Sequence, residues 1–412
     1  MRSIGALIAA VLLFSSGCSV QEVITAEHTR LDVATLDISE NLLLDIGITN
    51  FEPGIPEDND PIKSGVYEEI RSAESRYLPY HIKTTLQSTG YWGAVRVIPS
   101  TEVYTDVYLN GEIERSDGEF IELVVTATDA TGREWFENKY SMQTGVRSYS
   151  TNRDRANDPY QKVFNDLAND LRQYAATLTP REISQIRQVS ELQFFADMAP
   201  TAYGEHLLVN KDGMAEIQRL PAENDPMVGR LRQIRERDRL VVDTLNEHYA
   251  NYYYGIALPY EGWRKNSRQN QISIRQVKRA ATMRALLGAA VVAGSMSIDT
   301  SGGNNRGYNW RQAAQVVGID KGIRTIIDAF QMRQSANLYR SEIGELSESF
   351  IAEAAPLTVQ VEGESRRLVG TAEAQYEGWR KLLKDIYQIE TGFDSDIDVG
   401  VPARGAQANT GT

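Results

Sequence analysis

The sequence predicts an α+β protein: a small mixed sheet with helices on one face, followed by a larger, mainly helical domain with a small hairpin. Two observations carry this prediction. Between residues 42 and 140, apolar and polar residues alternate as they do in strands, around one run with a helical period. Beyond residue 157, most apolar stripes have the helical period instead. Strand, helix, strand and a three-stranded meander, in that order, specify a mixed sheet with helices packed on one face.

The N-terminus has the three parts of a secretory signal. Arg2 supplies a positive charge, residues 4–14 form an apolar run, and small residues precede Cys18. The apolar run is too short to cross ~30 Å of hydrocarbon, which needs about 20 residues. We therefore expect a signal peptide over residues 1–17. After Cys18, no apolar run reaches the ~18 residues expected of a transmembrane helix.

Residues 12–18 resemble the lipobox of bacterial lipoproteins, with Ser15 where that motif prefers leucine. The resemblance implies that Cys18 is acylated, with palmitate for example, and begins a lipidated linker over residues 18–37. Ser19 follows, and not the aspartate that keeps enteric lipoproteins in the inner membrane, which implies the outer membrane and a periplasmic body. An ordinary secretory signal with a chance cysteine is the alternative. Lipidation also explains why an exported chain has a single cysteine.

We place the α+β domain at residues 38–178. Tight turns are expected at Asp117-Gly118 and at residues 129–132, each between two runs with the alternation of strands. A helix is expected over Val66 to Gln87, interrupted or restarted at Pro79. The strands are expected at Leu42 to Thr49, Tyr91 to Ile98, Asp106 to Ile113, Phe120 to Thr128 and Glu134 to Tyr140.

Three stretches of this domain carry a family resemblance. They are Ser-Thr-Gly-Tyr-Trp-Gly-Ala-Val-Arg-Val-Ile at 88–98, Asp-Val-Tyr-Leu-Asn-Gly-Glu-Ile at 106–113 and the Thr-Gly hairpin leading to Trp135. They resemble a periplasmic domain of the curli-secretion lipoprotein, the N-terminal domain of TolB and auxiliary lipoproteins of ABC transporters. The resemblance implies a fold and a compartment, but no active site, because its motifs are structural. No pair of long amphipathic hairpins is evident, which counts against a secretion pore.

The mainly helical domain is placed at residues 179–392, and a polar, disordered tail at 393–412. A capping box at residues 179–182 predicts a helix start. Asp212-Gly213 predicts a hairpin turn, and a long helix, in a coiled coil or a bundle, is expected from Asp225 onward. A second hairpin is expected between residues 357 and 370, followed by a last helix from Thr371 to about Ile389.

One hexapeptide, Tyr-Glu-Gly-Trp-Arg-Lys, occurs at residues 260–265 and again at 376–381. A tyrosine and a tryptophan three positions apart share a helix face, so we interpret both copies as packing anchors. A duplicated ligand or partner site is the alternative.

A basic run and an apolar run follow the first copy. Residues 264–284 contain seven basic residues and no acidic one, and residues 285–296 are apolar or small. We interpret them as a solvated basic turn before a buried helix. Contact with the inner leaflet of the outer membrane or with acidic partners is the alternative.

The chemistry-bearing residues form no constellation. The four histidines are scattered, whereas zinc needs three or four converging ligands. No G-x-S-x-G elbow, P-loop or Rossmann fingerprint is present. We therefore predict no enzyme, no cofactor, no metal site and no catalytic residues. The net charge of −13 argues against nucleic acid as a partner.

These observations predict a lipoprotein anchored to the outer membrane through Cys18 on the periplasmic face, acting as a binding or scaffolding component of the cell envelope. Its expected partners are the membrane, through lipidated Cys18, and other envelope proteins. An oligomeric subunit of a secretion or transport assembly is the main alternative. A hydrolase of envelope polymers is a third class that no residue pattern supports.

Overall fold

The computed structural model describes residues 26–57, 65–150, 158–222, 224–296, 337–349, 356–361 and 364–392. The expected signal peptide, Cys18 and the expected tail at 393–412 lie outside these residues. The α+β class that the sequence predicts is confirmed: a five-stranded mixed sheet is combined with a large helical region.

The strands of the sheet are β1 (Ile46–Ile48), β2 (Val95–Val97), β3 (Val107–Ser116), β4 (Phe120–Asp129) and β5 (Glu134–Gln143). Their order in the sheet is β2-β1-β3-β4-β5. The short strand β1 pairs in parallel with both β2 and β3, and the three long strands form an antiparallel meander.

Strands β3 to β5 match the predicted runs closely, whereas β1 and β2 are shorter than predicted. Asp45 explains part of the difference at β1, because its carboxylate accepts a hydrogen bond from the Ala94 amide and its own amide donates to Asp106. The side chains therefore replace ladder hydrogen bonds directly before β1 begins. Along β4, alternate residues from Ile121 to Ala127 are fully buried, as the alternation predicts.

Helix α1 (Glu68–Thr89) runs through Pro79 without interruption, which corrects the expected break. A proline inside a helix leaves the carbonyl four residues earlier without its helical donor. Here that carbonyl belongs to Ser75, and the Phe51 amide donates to it over 2.8 Å. The Phe51 backbone amide thus replaces the missing helical donor. Helix α1 ends at Gly90, which has the left-handed conformation expected of a C-cap.

The remaining helices begin close to their predicted signals. Thr179 and Glu182 form the predicted capping box, and the predicted hairpin turns at Gly213 with a φ of 78°. The elements are α2 (Gln161–Ala175), α3 (Pro180–Met198), α4 (Pro200–Tyr203), β6 (Leu207–Val209), β7 (Ala215–Ile217), α5 (Pro226–Met296), α6 (residues 337–349), β8 (Leu357–Val361), β9 (Glu364–Leu368) and α7 (Ala372–Thr391).

Helix α5 contributes residues to both hydrophobic cores of the protein. Its 71 residues correspond to a length of roughly 106 Å at 1.5 Å per residue. Its middle part, including Ile256 and Trp263, belongs to a core shared with the sheet, α1 and α2. Its first part, including Leu231 and Leu245, belongs to a second core shared with α3 and α7. Because both cores contain residues from each side of the expected boundary at 178/179, the division into two domains stays a prediction.

Helix α5 also covers one edge of the sheet. The Asn246 side chain accepts a hydrogen bond from the Val97 amide and donates one to the Val97 carbonyl, both at 2.9 Å. One side chain on α5 thus occupies both outward-facing backbone groups of a β2 residue, as a neighbouring strand would. Among the described helices, none has the length and hydrophobicity needed to span a membrane.

Candidate functional site

The predicted site residue, Cys18, lies outside the described residues, but the chain that follows it is visible from Ala26. This segment, residues 26–34, lies along α2. Asn165 donates to the Thr29 carbonyl over 2.7 Å. Asn169, one turn later, donates to the Arg30 carbonyl and accepts from the Asp32 amide, both at 2.9 Å. The second half of the expected linker is therefore fixed to the body, and seven residues lie between Cys18 and Ala26.

The first hexapeptide copy buries a tyrosine and an arginine, each with a carboxylate. The Tyr260 hydroxyl donates to Glu74 over 2.6 Å, and Glu74 also accepts from Ser116. Arg264 forms a two-pronged ion pair with Asp158 at 2.8 and 2.9 Å. The side chains of Glu74, Asp158 and Arg264 are each at most 8% exposed.

The second copy repeats this arrangement with different partners. The Tyr376 hydroxyl and the Trp379 indole both donate to Asp238, at 3.4 and 3.1 Å. Arg380 forms an ion pair with Asp197. The predicted interpretation of both copies as packing anchors is confirmed, since each tyrosine and tryptophan is at most 3% exposed. The part that sequence reasoning missed is the carboxylate that meets each tyrosine and each arginine.

The glycine of the hexapeptide permits a close approach in both copies. A Cβ atom on Gly262 would lie 2.6 Å from the ring of Tyr339 on α6. A Cβ atom on Gly378 would lie 3.1 Å from the side chain of Leu368 on β9. The repeated sequence therefore encodes four contacts: a buried hydroxyl, a small residue under a neighbouring element, a buried indole and a buried guanidinium.

The pKa of the carboxylate that meets an arginine, Asp158, is lowered, whereas the pKa of the carboxylate that meets a tyrosine, Asp238, is raised. Burial disfavours the Asp158 anion, but the Arg264 guanidinium, His81 and the Tyr160 amide outweigh that effect and lower the pKa to about 2. At Asp238 burial prevails over the Trp379 and Tyr376 donors and raises the pKa to about 7. Burial also raises the pKa of Glu74. Asp158 is thus a permanent anion near neutral pH, whereas Asp238 titrates there.

A small cavity of about 20 Å³ lies beside Asp238, between the start of β1 and helix α5. Its walls include the guanidinium groups of Arg235 and Arg239 and the carboxylate of Asp45. The Arg235 Nε is buried and has no hydrogen-bond partner among the residues that the structure describes. A cavity of this size holds one or two water molecules. We interpret it as a hydration site within a cluster of opposite charges.

An open groove of about 270 Å³ lies between α1 and α5 above β2. Lys83 and Gln87 line one side, and Glu247 and the Arg96–Asp243 ion pair line the other. The groove is wide and its charges are mixed. Its lining contains no arrangement of a nucleophile and a base.

The basic run after the first hexapeptide is less solvated than predicted. Arg264 and Arg268 are 1% and 6% exposed, and Arg275 donates to Glu119 over 2.6 Å. The prediction of a solvated basic turn is therefore wrong for Arg264 and Arg268, because burial of Arg264 is compensated by Asp158. The apolar stretch 285–296 continues as helix.

Two of the four histidines take structural positions. His81 lies between the Tyr253 hydroxyl at 2.7 Å and the Gln161 amide oxygen at 3.0 Å. His206 meets the Arg219 carbonyl at 3.0 Å. Within the described part of the chain, no three or more His, Cys, Asp or Glu side chains converge as a metal site requires.

Comparison with known proteins gives no match by sequence and a weak likeness by structure. No protein-family model matches the chain, and no curated protein matches its sequence. Among solved structures, this chain is similar to PelC from Paraburkholderia phytofirmans, which was solved as a dodecamer. The alignment covers 35% of this chain and 98% of the PelC chain, at 15% identity and a TM-score of 0.21. A likeness at this score carries no argument about fold or function.

Proposed function

We propose that the protein is an outer-membrane lipoprotein on the periplasmic face, held by acylated Cys18, that acts as a binding or scaffolding component of the cell envelope. The observation that carries the proposal is the lipobox-like run that ends at Cys18, directly before a short tether. Each buried methylene of an acyl chain contributes about 0.8 kcal/mol, so several chains on one cysteine hold firmly. The proposal includes no catalytic role, cofactor or metal.

The docked N-terminal segment supports a close attachment. Residues 26–34 are fixed along α2 by the Asn165 and Asn169 side chains. Only the residues between Cys18 and Ala26 are left as a tether. At 3.3–3.6 Å per extended residue, the eight Cα-to-Cα steps from Cys18 to Ala26 span at most about 29 Å. An acylated chain is therefore expected to carry its body near the bilayer.

The position of helix α5 supports the proposed scaffolding role. The helix is fixed to β2 by the Asn246 hydrogen bonds and to α7 by the hydrogen bonds that Asp238 accepts, so its outer face lies on a packed support. On that face, Tyr254 and Leu258 lie one turn apart and are 68% and 76% exposed, and Leu240 is 59% exposed. Exposed apolar residues on a fixed helix are suited to protein partners.

One observation favours the alternative, an oligomeric subunit of a secretion or transport assembly. Strand β5 has ten residues and forms an edge of the sheet, with β4 as its single neighbour in the described ladder. A free edge can pair with a strand of another chain. Size exclusion with light scattering in detergent separates the two readings. A monomer excludes the assembly, and a defined oligomer favours it.

Crosslinking in intact envelopes tests the scaffolding proposal. Partners captured by the wild type are compared with those of Cys18→Ala and of a form in which a cleavable secretory signal replaces residues 1–18. The second form serves as a control because an uncleaved signal could hold Cys18→Ala in the membrane. We expect envelope proteins to be captured by the wild type and mostly lost from the soluble form. An unchanged partner set together with unchanged membrane association would contradict the tether.

A further inference from the structure

The two edges of the five-stranded sheet differ. At the β2 edge, the Asn246 side chain of α5 occupies the outward-facing amide and carbonyl of Val97. At the other edge, β5 extends over ten residues without a proline and has β4 as its single neighbour among the described strands. A long edge without such a cover is a template for pairing with another strand.

The ladder with β4 shows which backbone groups of β5 face outward. Directly beyond the last paired residues of the two strands, the Thr144 amide donates to the Glu119 carbonyl over 2.7 Å. Bonded and non-bonded pairs alternate along an antiparallel ladder, so every second residue back from Thr144 bonds to β4 and the residues between them direct their backbone groups outward. These outward-directed residues are Glu137, Lys139, Ser141 and Gln143. Among the described residues, no hydrogen bond reaches their outward amides and carbonyls.

The exposed side chains of this edge carry one charge of each sign. Glu137 and Lys139 are both exposed, two positions apart on the same face of the strand. The Lys139 ammonium group meets Glu114 and Glu122 of the neighbouring strands at 2.5 and 2.6 Å, and its side chain is still 51% exposed. The Glu137 carboxylate accepts a hydrogen bond from Thr126 over 3.3 Å and forms no ion pair with another described residue. The edge therefore offers a carboxylate beside an accessible ammonium group.

Two copies of this edge can pair antiparallel about a two-fold axis in few registers. The outward-directed residues must oppose each other to form hydrogen bonds, so the axis passes through a residue of β5. An axis at Glu137 or at Lys139 places like charges opposite each other, which is unfavourable. An axis at Asn138, between them, places Glu137 of each copy opposite Lys139 of the other. Of the three axes at the middle of the strand, charge therefore favours the one at Asn138.

We propose that the β5 edge binds the β5 edge of a second copy of the chain, antiparallel, about a two-fold axis at Asn138. The two five-stranded sheets then join into one sheet of ten strands, and the outward-directed backbone groups of both edges are satisfied. A lysine on an edge strand ordinarily discourages pairing, but here each lysine meets a glutamate of the other copy. The interface is closed, because both edges are occupied, so it gives a dimer and not a ring. This contact goes beyond the proposed anchoring and does not depend on the acylation of Cys18.

A cysteine scan in the full chain, purified in detergent, tests the register. Asn138→Cys places two thiols at a non-bonded pair on the axis, where the Cα atoms lie about 4.5 Å apart, within the range of about 4.4–6.8 Å that a disulfide needs. In the matched controls, Glu137→Cys and Lys139→Cys, the two cysteines are diagonal neighbours about 7–8 Å apart. Under mild oxidation, we expect Asn138→Cys to form a disulfide-linked dimer at least about tenfold faster than either control.

Charge variants test the contact itself, with sedimentation velocity as the measurement. Glu137→Lys places lysine opposite lysine, and Lys139→Glu places glutamate opposite glutamate, so each variant alone should dimerise at least about tenfold more weakly than the wild type. A mixture of the two variants should form the heterodimer, because each glutamate then again opposes a lysine. Glu112→Lys, the same change at an exposed position of β3, is the matched control and should dimerise as the wild type does.

The outcomes keep this contact separate from the anchor. A monomeric wild type, crosslinking that is faster at position 137 or 139 than at 138, or a dimer that Glu137→Lys leaves intact would each refute the proposal. If Lys139→Glu does not fold, because it also loses Glu114 and Glu122, the cysteine scan and Glu137→Lys decide. A disulfide through Cys18, identified by mass spectrometry of the linked peptides, would contradict the proposed acylation and not this contact.

Discussion

At the scale of single residues, the protein depends on charges that are buried in pairs. A buried arginine is tolerated only when a carboxylate meets it with good geometry, and removing one partner leaves an uncompensated charge. Arg264 meets this condition through its two bonds to Asp158. The neighbouring Lys265 is exposed and therefore provides a natural contrast.

Replacing Arg264 by methionine tests the buried pair. We expect Arg264→Met to lower the free energy of unfolding by about 3–5 kcal/mol, because it leaves Asp158 buried and unpaired. Lys265→Met, at an exposed position of the same helix, should change it by less than about 0.5 kcal/mol. Urea denaturation measures both. Equal effects of the two substitutions would contradict the assigned role of the pair.

Asp238 predicts a pH dependence of stability. Its pKa in the folded state is about 7, against 3.8 for an unperturbed aspartate. The folded state therefore binds the proton more tightly, and the free energy of unfolding falls as the pH rises from about 4 to about 7. The contribution of this group is at most about 4 kcal/mol, at 1.36 kcal/mol per pKa unit.

Asp238→Asn should remove the part of this slope that Asp238 contributes, whereas Glu74 and Asp106, whose pKa values burial also raises, keep theirs. Denaturation at pH 5 and pH 7.5 measures it, and the variant should lose much less stability between these values than the wild type. Asp243→Asn, on the same helix and with its side chain 49% exposed, should keep the wild-type slope. Parallel curves for wild type and Asp238→Asn would show that another group titrates. Asp158 does not interfere, because its pKa near 2 confines its effect to lower pH.

At the scale of elements, local signals predicted most helix and strand positions, and long-range contacts corrected the rest. The alternation from Phe120 to Thr128 and the capping box at Thr179 act through neighbours in sequence, so sequence reasoning finds them. The helical continuation through Pro79 depends on the Phe51 amide, 28 residues away, and no local pattern contains that information.

The candidate site shows the same limit. Sequence reasoning found the hexapeptides and assigned their aromatic residues to packing, because the i, i+3 spacing is local. It could not pair Arg264 with Asp158, which are 106 residues apart. The available signal was the arginine itself: a charged residue repeated beside two residues that pack in a core. Asp158 is followed by Pro159, a pair typical of a helix start, whereas α2 begins later, at Gln161.

Two glycines of α5 give a matched test of close packing. At Gly255, no atom of the described part of the chain lies within 4 Å of an added Cβ, so Gly255→Ala should stabilise the helix by up to about 1 kcal/mol. At Gly262, the added Cβ would lie 2.6 Å from the Tyr339 ring. Gly262→Ala should therefore destabilise by about 1–3 kcal/mol, as overpacking does. Thermal unfolding measures both. Stabilisation by both substitutions would show that α6 does not pack there.

The asparagine contacts of the N-terminal segment can be tested by proteolysis. Asn165→Ala with Asn169→Ala removes the three hydrogen bonds that hold residues 29–32. At about 1 kcal/mol for each bond, we expect trypsin cleavage after the exposed Arg30 to become at least about tenfold faster. Asn251→Ala, at an exposed position of α5, is the control. An unchanged rate would mean that the segment is held by other contacts.

At the scale of the whole molecule, one helix and one short segment determine how the body is arranged. Helix α5 connects the two cores and covers the β2 edge through Asn246. The segment from Ala26 shortens the tether and fixes its exit beside the start of α2. Together they would hold an acylated body in a defined orientation at the bilayer, which is a property that a scaffold requires.

The central claim is that Cys18 becomes an acylated N-terminus, and intact mass measurement of the purified mature chain tests it most directly. The account predicts a chain that begins at Cys18 and carries the added mass of its acyl chains, with the wild type in the outer-membrane fraction. Hydroxylamine or lipase treatment should remove ester-linked acyl chains and shift the mass accordingly. A mature chain that begins elsewhere, or an unmodified Cys18 in a chain recovered from the soluble periplasm, would contradict the account.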